Sequence, residues 1–223
     1  MLTINPIAKI YNDFTEKFGI PRQSGIVSEA ESLIVFEEDF RNPEALRGIE
    51  SFSHLWLIWQ FSENENGYKP TVRPPRLGGN KRVGVFATRS PFRPNPLGIS
   101  CVELKGVEKT HNHGTVLRVC GADLMNMTPI FDIKPYLTYS DCHPDAVCGF
   151  TEAIPEKKLT VIYKEETPKI LSDKKLDVLT KMLENDPRPS YHTDEREYTF
   201  SYAGCEVSFF VRKDTLYVTN IKK

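Results

Sequence analysis

A chain of 223 residues can bury a sizeable core as one large domain, or as one domain plus a small one, without disulfide or metal staples. With 39 % hydrophobic residues, 26 % charged residues and a formal net charge of -1, it has the composition of an ordinary soluble globular protein, and its total charge gives no general attraction to polyanions. The longest apolar run, Leu55-Trp56-Leu57-Ile58-Trp59, is far below the roughly 20 residues a bilayer requires, and MLTINPIAKIYNDF lacks a secretory pattern, so a cytoplasmic protein with no membrane partner is expected.

The first two-thirds reads as strands bounded by turn clusters. These are Thr3 to Tyr11, Leu33 to Phe36, Phe52 to Phe61, Arg82 to Ala87, Ile99 to Val107, Thr115 to Cys120 and Ile130 to Tyr136, with Pro43 to Ile49 the best short helix. The run Leu55 to Trp59 is apolar without alternation, which predicts a strand covered on both faces, as in a closed barrel or at a subunit interface. A mainly β fold follows, a small β-barrel over residues 1–150. Past Thr151 a charged connector with Pro155 and Pro168 leads to a second unit, 165–223. There Ser172 caps an amphipathic helix through DKKLDVLTKMLEN, with Leu176, Leu179, Met182 and Leu183 on one face, ended by Asn185 to Pro189. Glu197 to Tyr202, Glu206 to Val211 and Leu216 to Ile221 then alternate at period two, with turns at Ala203-Gly204 and Lys213-Asp214, completing a small α/β domain.

One loop stands apart. ATRSPFRPNPLG, from Ala87 to Gly98, places three prolines and two arginines in twelve residues. Prolines fix φ and remove donors, so this is a stiff, irregular turn whose ordering cost has been met during folding. From Asn66 to Val102 there is no Asp or Glu, while Lys69, Arg73, Arg76, Lys81, Arg82, Arg89 and Arg93 all fall inside. Fixed positive charge without compensation points to an anion-binding surface.

Other chemistries fail on their residues. Gly79 to Gly84 has P-loop spacing, but Val85 and Phe86 stand where Lys and Ser or Thr are needed. No G-x-G-x-x-G or G-x-S-x-G is present. The five cysteines show no C-x-x-C pair, and Cys142-His143 has no second pair at metal spacing, so reduced thiols and no metal are expected.

Three blocks, Gly19-IPRQSG to Gly25, Thr71-VRPPRLGGNKRVGVFATRSPFRPNPLGIS to Ser100, and Asp123-LMNMTPIFDIKPY to Tyr136, together with FSHLWLI and DPRPSY, resemble the TsaA-like (YaeB, TrmO) family of tRNA methyltransferases. The resemblance implies a small β-barrel working as a homodimer. It implies an S-adenosylmethionine-dependent enzyme that methylates threonylcarbamoyladenosine beside the anticodon of tRNA. By position in the family motifs, cofactor contacts fall on Gln23, Ser24, Gly25, Phe61, Ser62, Arg89, Leu97, Ile99, Asn126, Met127, Thr128 and Pro129, although Asn126-Met127 departs from the Asp-Gly common there.

Within that reading, Arg89 and Arg93 could divide the carboxylates of cofactor and substrate, since guanidinium pairs bidentately with planar anions. Asp132, Lys134 and Tyr136 share a strand face and, with His54, are candidates for the group that takes the proton; Asp132, Tyr136 and Arg89 are the residues assigned to catalysis. Arg73, Arg76, Lys81, Arg82 and Arg93 are assigned to RNA phosphates. The competing readings are a non-catalytic RNA-binding barrel and a small-molecule anion sensor.

Overall fold

The computed structural model describes residues 3–152, 158–164, 170–189 and 194–223. Pro155, Pro168, Ser190 and Tyr191 lie outside the described residues. In chain order come strands β1 (Ala8–Tyr11), β2 (Glu31–Phe36), β3 (His54–Gln60), β4 (Thr71–Val72), β5 (Val83–Gly84), β6 (Leu97–Thr110), β7 (Gly114–Cys120) and β8 (Pro129–Pro135). Helix α1 (Thr138–Asp141), strand β9 (Thr160–Tyr163), helix α2 (Asp173–Glu184) and strands β10 (Tyr198–Tyr202), β11 (Cys205–Arg212) and β12 (Thr215–Lys222) follow.

Six strands close on themselves as a barrel in the order β1-β2-β7-β6-β3-β8, because β1 pairs antiparallel with both β2 and β8. Closure leaves no unpaired edge among these strands. Leu55, Leu57 and Trp59 point inward from β3 and meet Ile10, Ile34, Val102, Leu117 and Ile130. Trp56 and Ile58 point outward and are only half-buried, so the run expected to be covered on both faces is fully covered on one. The outer Trp56 indole donates to Asp141 at 2.8 Å and lies against Tyr136. Gly98 pairs with Trp59 across the β3–β6 ladder, and a Cβ there would overlap the indole, so the glycine ending the proline loop makes room for that ring.

Several expected elements are shorter than the sequence indicates, three of them markedly. The first strand begins at Ala8, since Pro6 has no N–H for the ladder. Arg82 to Ala87 yields the two-residue strand β5 and then a 3-10 turn at Val85–Ala87, closed by the Thr88 N–H donating to the Val85 carbonyl. Pro43 to Ile49 forms two 3-10 turns, Pro43–Leu46 and Ile49–Ser51, the first capped by the Asn42 side chain.

A second sheet has the order β10-β11-β12-β9. Strand β9 lies in the stretch read as a connector, and it joins the sheet in parallel with β12. The period-two pattern of β11 alternates cleanly, with Cys205, Val207, Phe209 and Val211 buried. Helix α2 starts where Ser172 accepts from the Lys175 N–H, and buries Val178, Leu179, Met182 and Leu183, with Leu176 at the margin.

Residues 12–30 join the two units. Phe14, Val27 and Ala30 are buried in the C-terminal core, where Phe18 and Ile20 pack beside them. Phe18 stacks on Phe209 at 6.3 Å and on Tyr198 at 5.9 Å. Gly19 takes φ 90°, and a Cβ there would approach the Phe200 ring to 2.7 Å. Arg22 donates to the carbonyls of Asp186 at 3.1 Å and Arg188 at 2.6 Å.

Candidate functional site

The proline loop is stiff because its polar groups are spent internally. The Thr88 hydroxyl donates to the Val85 carbonyl and accepts from the Ser90 N–H, while Asn64 donates from its side chain to the Pro91 carbonyl at 2.8 Å. Arg93 donates to the Thr88 carbonyl at 2.7 Å and the Val85 carbonyl at 3.2 Å, and lies over the Phe86 ring. Its Nη1 thus pins the loop. Arg89, by contrast, is exposed and meets one side chain, donating to Gln23 at 2.6 Å.

That loop walls two cavities at one end of the barrel. The larger, ≈ 430 Å³, is lined by Pro21, Arg22, Gln23, Ile58, Thr88, Arg89, Arg93, Leu97, Gly98 and Ile99. The smaller, ≈ 330 Å³, is lined by Lys17, Ile20, Gln60, Ser62, Glu63, Asn64, Asn66, Pro91, Phe92, Met125 and Thr128. Trp59, Phe61 and Asp123 line both. Both volumes fall at the low end of the roughly 300–1,000 Å³ typical of small-molecule sites. Trp59 and Phe61 meet edge to face at 4.4 Å, a rigid apolar divider.

The expected cofactor residues distribute unevenly around this divider. Gln23, Arg89, Leu97 and Ile99 line the larger cavity, Ser62 and Thr128 the smaller, and Phe61 both. Ser24 and Gly25 stand behind the wall: the Ser24 hydroxyl accepts from the Cys101 N–H, and the Gly25 N–H donates to Gly121 at 2.8 Å. Asn126 uses its side-chain oxygen to hold the Asn12 N–H. Met127 takes φ 67° and is 44 % exposed, so it fills no core. Left-handed backbone explains why a glycine is natural at this position. Pro129 opens β8 opposite Lys9.

The proton-transfer candidates are not brought to the cavities. Asp132 pairs with Lys134 at 2.8 Å on the outer face of β8 and accepts from the Ile133 N–H. Tyr136 lies beyond the strand against His54 and Trp56, and burial, with the nearby Cys142 thiol, pushes its hydroxyl above the ordinary value. None of Asp132, Lys134, Tyr136 or His54 lines either cavity.

Sequence reasoning missed Asp123, although it opens one of the blocks that carry the resemblance. The indole of Trp59 donates to the Ser100 hydroxyl at 2.9 Å, and Ser100 donates to Asp123 at 2.5 Å. An indole N–H can only donate, so the Ser100 proton is left for the carboxylate. Burial pushes Asp123 above its ordinary value, while Ser100, the backbone N–H of Ser24 and the charge of Arg89 pull it back. Its only sequence signal was a lone acid between apolar neighbours.

On the β4–β5 hairpin, Arg73, Arg76, Lys81 and Arg82 are all exposed. Arg82 donates to Thr71 at 2.8 Å and Arg76 to the Thr151 carbonyl at 3.3 Å. Among the described residues no cluster of His, Cys, Asp or Glu could hold a metal ion.

A closed barrel carrying an arginine-rimmed, aromatic-walled double cavity beside a basic hairpin defines a protein that binds a charged small molecule next to a polyanion surface. The family described as tRNA-methyltransferase O N-terminal domain matches residues 9–142, and the TrmO C-terminal domain matches 156–223. The chain belongs to the tRNA-methyltransferase O family. It is 43 % identical over 196 residues to the tRNA (adenine(37)-N6)-methyltransferase of Escherichia coli K12, covering 85 % of this chain and 83 % of that one. It is 44 % identical over 167 residues to the Eikenella corrodens protein of the same name, covering 73 % and 93 %. A crystal structure of TrmO from Pseudomonas aeruginosa superimposes with a TM-score of 0.78 at 30 % identity, over 99 % of this chain and 96 % of that one.

Proposed function

We propose that this chain is an S-adenosylmethionine-dependent tRNA methyltransferase that methylates the exocyclic nitrogen of adenosine 37, bearing its threonylcarbamoyl group. The observation that carries the reading is the arrangement at the divider. Residues of all three family-like blocks meet around Trp59 and Phe61, with the exposed Arg89 at the rim and the half-buried Asp123 carboxylate between the cavities. These residues fit the cofactor: apolar walls for the adenine ring, and Arg89 with Gln23 for the methionyl carboxylate. When bound, the cofactor supplies an activated methyl group on a sulfonium.

The chain's own part is positioning. A methyl transfer requires the acceptor nitrogen in line with the departing bond, so most of the acceleration comes from holding both partners in a prearranged cleft. The pinned proline loop supplies that rigidity without ordering at the moment of binding. Arg73, Lys81 and Arg82 on the neighbouring hairpin hold the tRNA backbone. A homodimer belongs to the same proposal, because Ile99 is 49 % exposed beside the half-buried Ile58 and Trp56, an apolar strip continuous with the larger cavity that a second copy would cover.

The test is incubation of the chain with S-adenosylmethionine and threonylcarbamoylated tRNA, followed by nucleoside mass spectrometry. One added methyl group on the modified adenosine is expected, and unmodified tRNA returned by the wild type would sink the reading. Arg89→Ala should weaken cofactor binding by roughly ten- to a hundredfold, the range for losing a charge-assisted hydrogen bond, with no loss of thermal stability.

A further inference from the structure

Three arginines line the larger cavity, and a single acid, Asp123, faces them among the described residues. Two of the arginines are already engaged with backbone carbonyls, Arg22 with Asp186 and Arg188, and Arg93 with Val85 and Thr88. Among the described residues Arg89 donates only to the Gln23 side chain, from Nη1. Asp123 is the opposite pole: it lies within electrostatic reach of Arg89, yet makes no ion pair with a described residue. The Trp59-to-Ser100 relay and the Ser24 N–H all donate toward it, which holds it as an acceptor. A half-buried carboxylate that accepts hydrogen bonds but has no ion-pair partner among the described residues is electrostatically incomplete.

We infer that Asp123 is the counter-charge for a cationic group of the methyl donor, so that Arg89 and Asp123 read the two signs of one ligand from a single cavity. This rests on the functional reading above. Two groups of the donor carry the needed chemistry, the α-ammonium and the sulfonium. Burial raises the cost of leaving Asp123 charged and alone, and the ligand's cation offsets that cost on binding. The carboxylate sits at the meeting point of the two cavities, where an elongated donor spanning them would pass.

The test is calorimetry on wild type and Asp123→Asn, an isosteric change that preserves an acceptor for Ser100. Three probes are used: S-adenosylmethionine, S-adenosylhomocysteine, which keeps the ammonium and lacks the sulfonium, and methylthioadenosine, which lacks both. The variant should lose roughly ten- to a hundredfold in affinity for S-adenosylmethionine and bind methylthioadenosine within about twofold of wild type. An equal loss for S-adenosylhomocysteine assigns the ammonium; an undiminished S-adenosylhomocysteine affinity assigns the sulfonium. Unchanged S-adenosylmethionine affinity overturns the inference. So does an equal loss of methylthioadenosine, which would make Asp123 a ribose contact or a packing residue. A wild-type chain that binds methylthioadenosine but not S-adenosylmethionine overturns the inference together with the functional reading, whereas a failure confined to the variant's arms leaves that reading intact.

Discussion

The barrel and the C-terminal sheet cover their apolar strand faces in opposite ways. The barrel closes, so Ile10, Ile34, Leu55, Leu57, Leu117 and Ile130 bury one another, with Leu46 and Ile49 of the 3-10 turns packed at the margin. The C-terminal sheet stays open, and its inner face is covered by α2 and by Phe14, Phe18, Val27 and Ala30, which arrive from the first part of the chain. Segment 12–30 is therefore gripped from behind while Lys17, Ile20, Pro21 and Gln23 face the cavities. Among the described residues the C-terminal unit lines neither cavity, but it holds part of the wall of both.

The comparison breaks most visibly at Phe209, which is fully buried against Phe18, Tyr198 and Phe200. Phe209→Ala should cost about 3–5 kcal/mol in denaturant unfolding. Well below its melting transition the variant should still bind the methyl donor more weakly than wild type by calorimetry, and unchanged affinity would mean that the grip on segment 12–30 does not reach the cavity.

Beside the barrel, Arg93 of the proline loop and Lys81 of the hairpin separate a structural cation from a solvated one. Arg93→Ala should lose about 1–3 kcal/mol of stability through its two carbonyl partners and leave the salt dependence of tRNA binding unaltered. Lys81→Ala should keep stability within about 0.5 kcal/mol and reduce the salt slope by about one. Filter binding across a salt series distinguishes them, and the same slope change from both would merge the two roles.

Met127 sharpens the contrast between regular strand and strained turn. Met127→Gly should raise stability by about 1 kcal/mol, because the left-handed backbone there opposes any side chain. A fall in melting temperature would show that the exposed side chain contributes more than the strain removes.

The smallest effect lies in the polar seam between the units. Lys174 pairs with Glu31 at 2.5 Å and Lys181 with Glu29 at 2.6 Å, and these hydrogen bonds hold both carboxyls below the ordinary 4.5. A depressed carboxyl stabilises the fold above its unfolded value, and that contribution disappears as pH falls through the folded one. Lys174→Ala with Lys181→Ala should therefore lower the melting temperature only slightly near neutral pH, the loss vanishing as pH falls below the ordinary carboxylate range. A larger loss that persists in acid would point to packing of the lysine stems instead.

Local patterns were read well where a residue's role depends on its near neighbours. Ser172 caps α2, the period-two run of β11 buries alternate residues, and the prolines of Pro91 to Pro96 exclude regular structure. Strand β9 escaped because four residues between charged flanks are too few to show a period. The site was legible as a set of segments and illegible as a geometry. Arg89 and Arg93 look alike in sequence, four residues apart in one loop, yet Arg89 stays exposed beside Gln23 and Arg93 closes the loop on itself.

By itself, then, the sequence determined a mainly β chain, a rigid cationic loop, an acid-free basic stretch and a capped C-terminal helix, since propensity, proline stiffness and periodicity act over a few residues. Only the tertiary structure decided that Asp123 would meet Ser100 and Trp59, that Gln23 would meet Arg89, and that Asp132 and Tyr136 would stay outside both cavities. These are meetings of residues far apart along the chain, settled by barrel closure and strand register, and no local pattern records them.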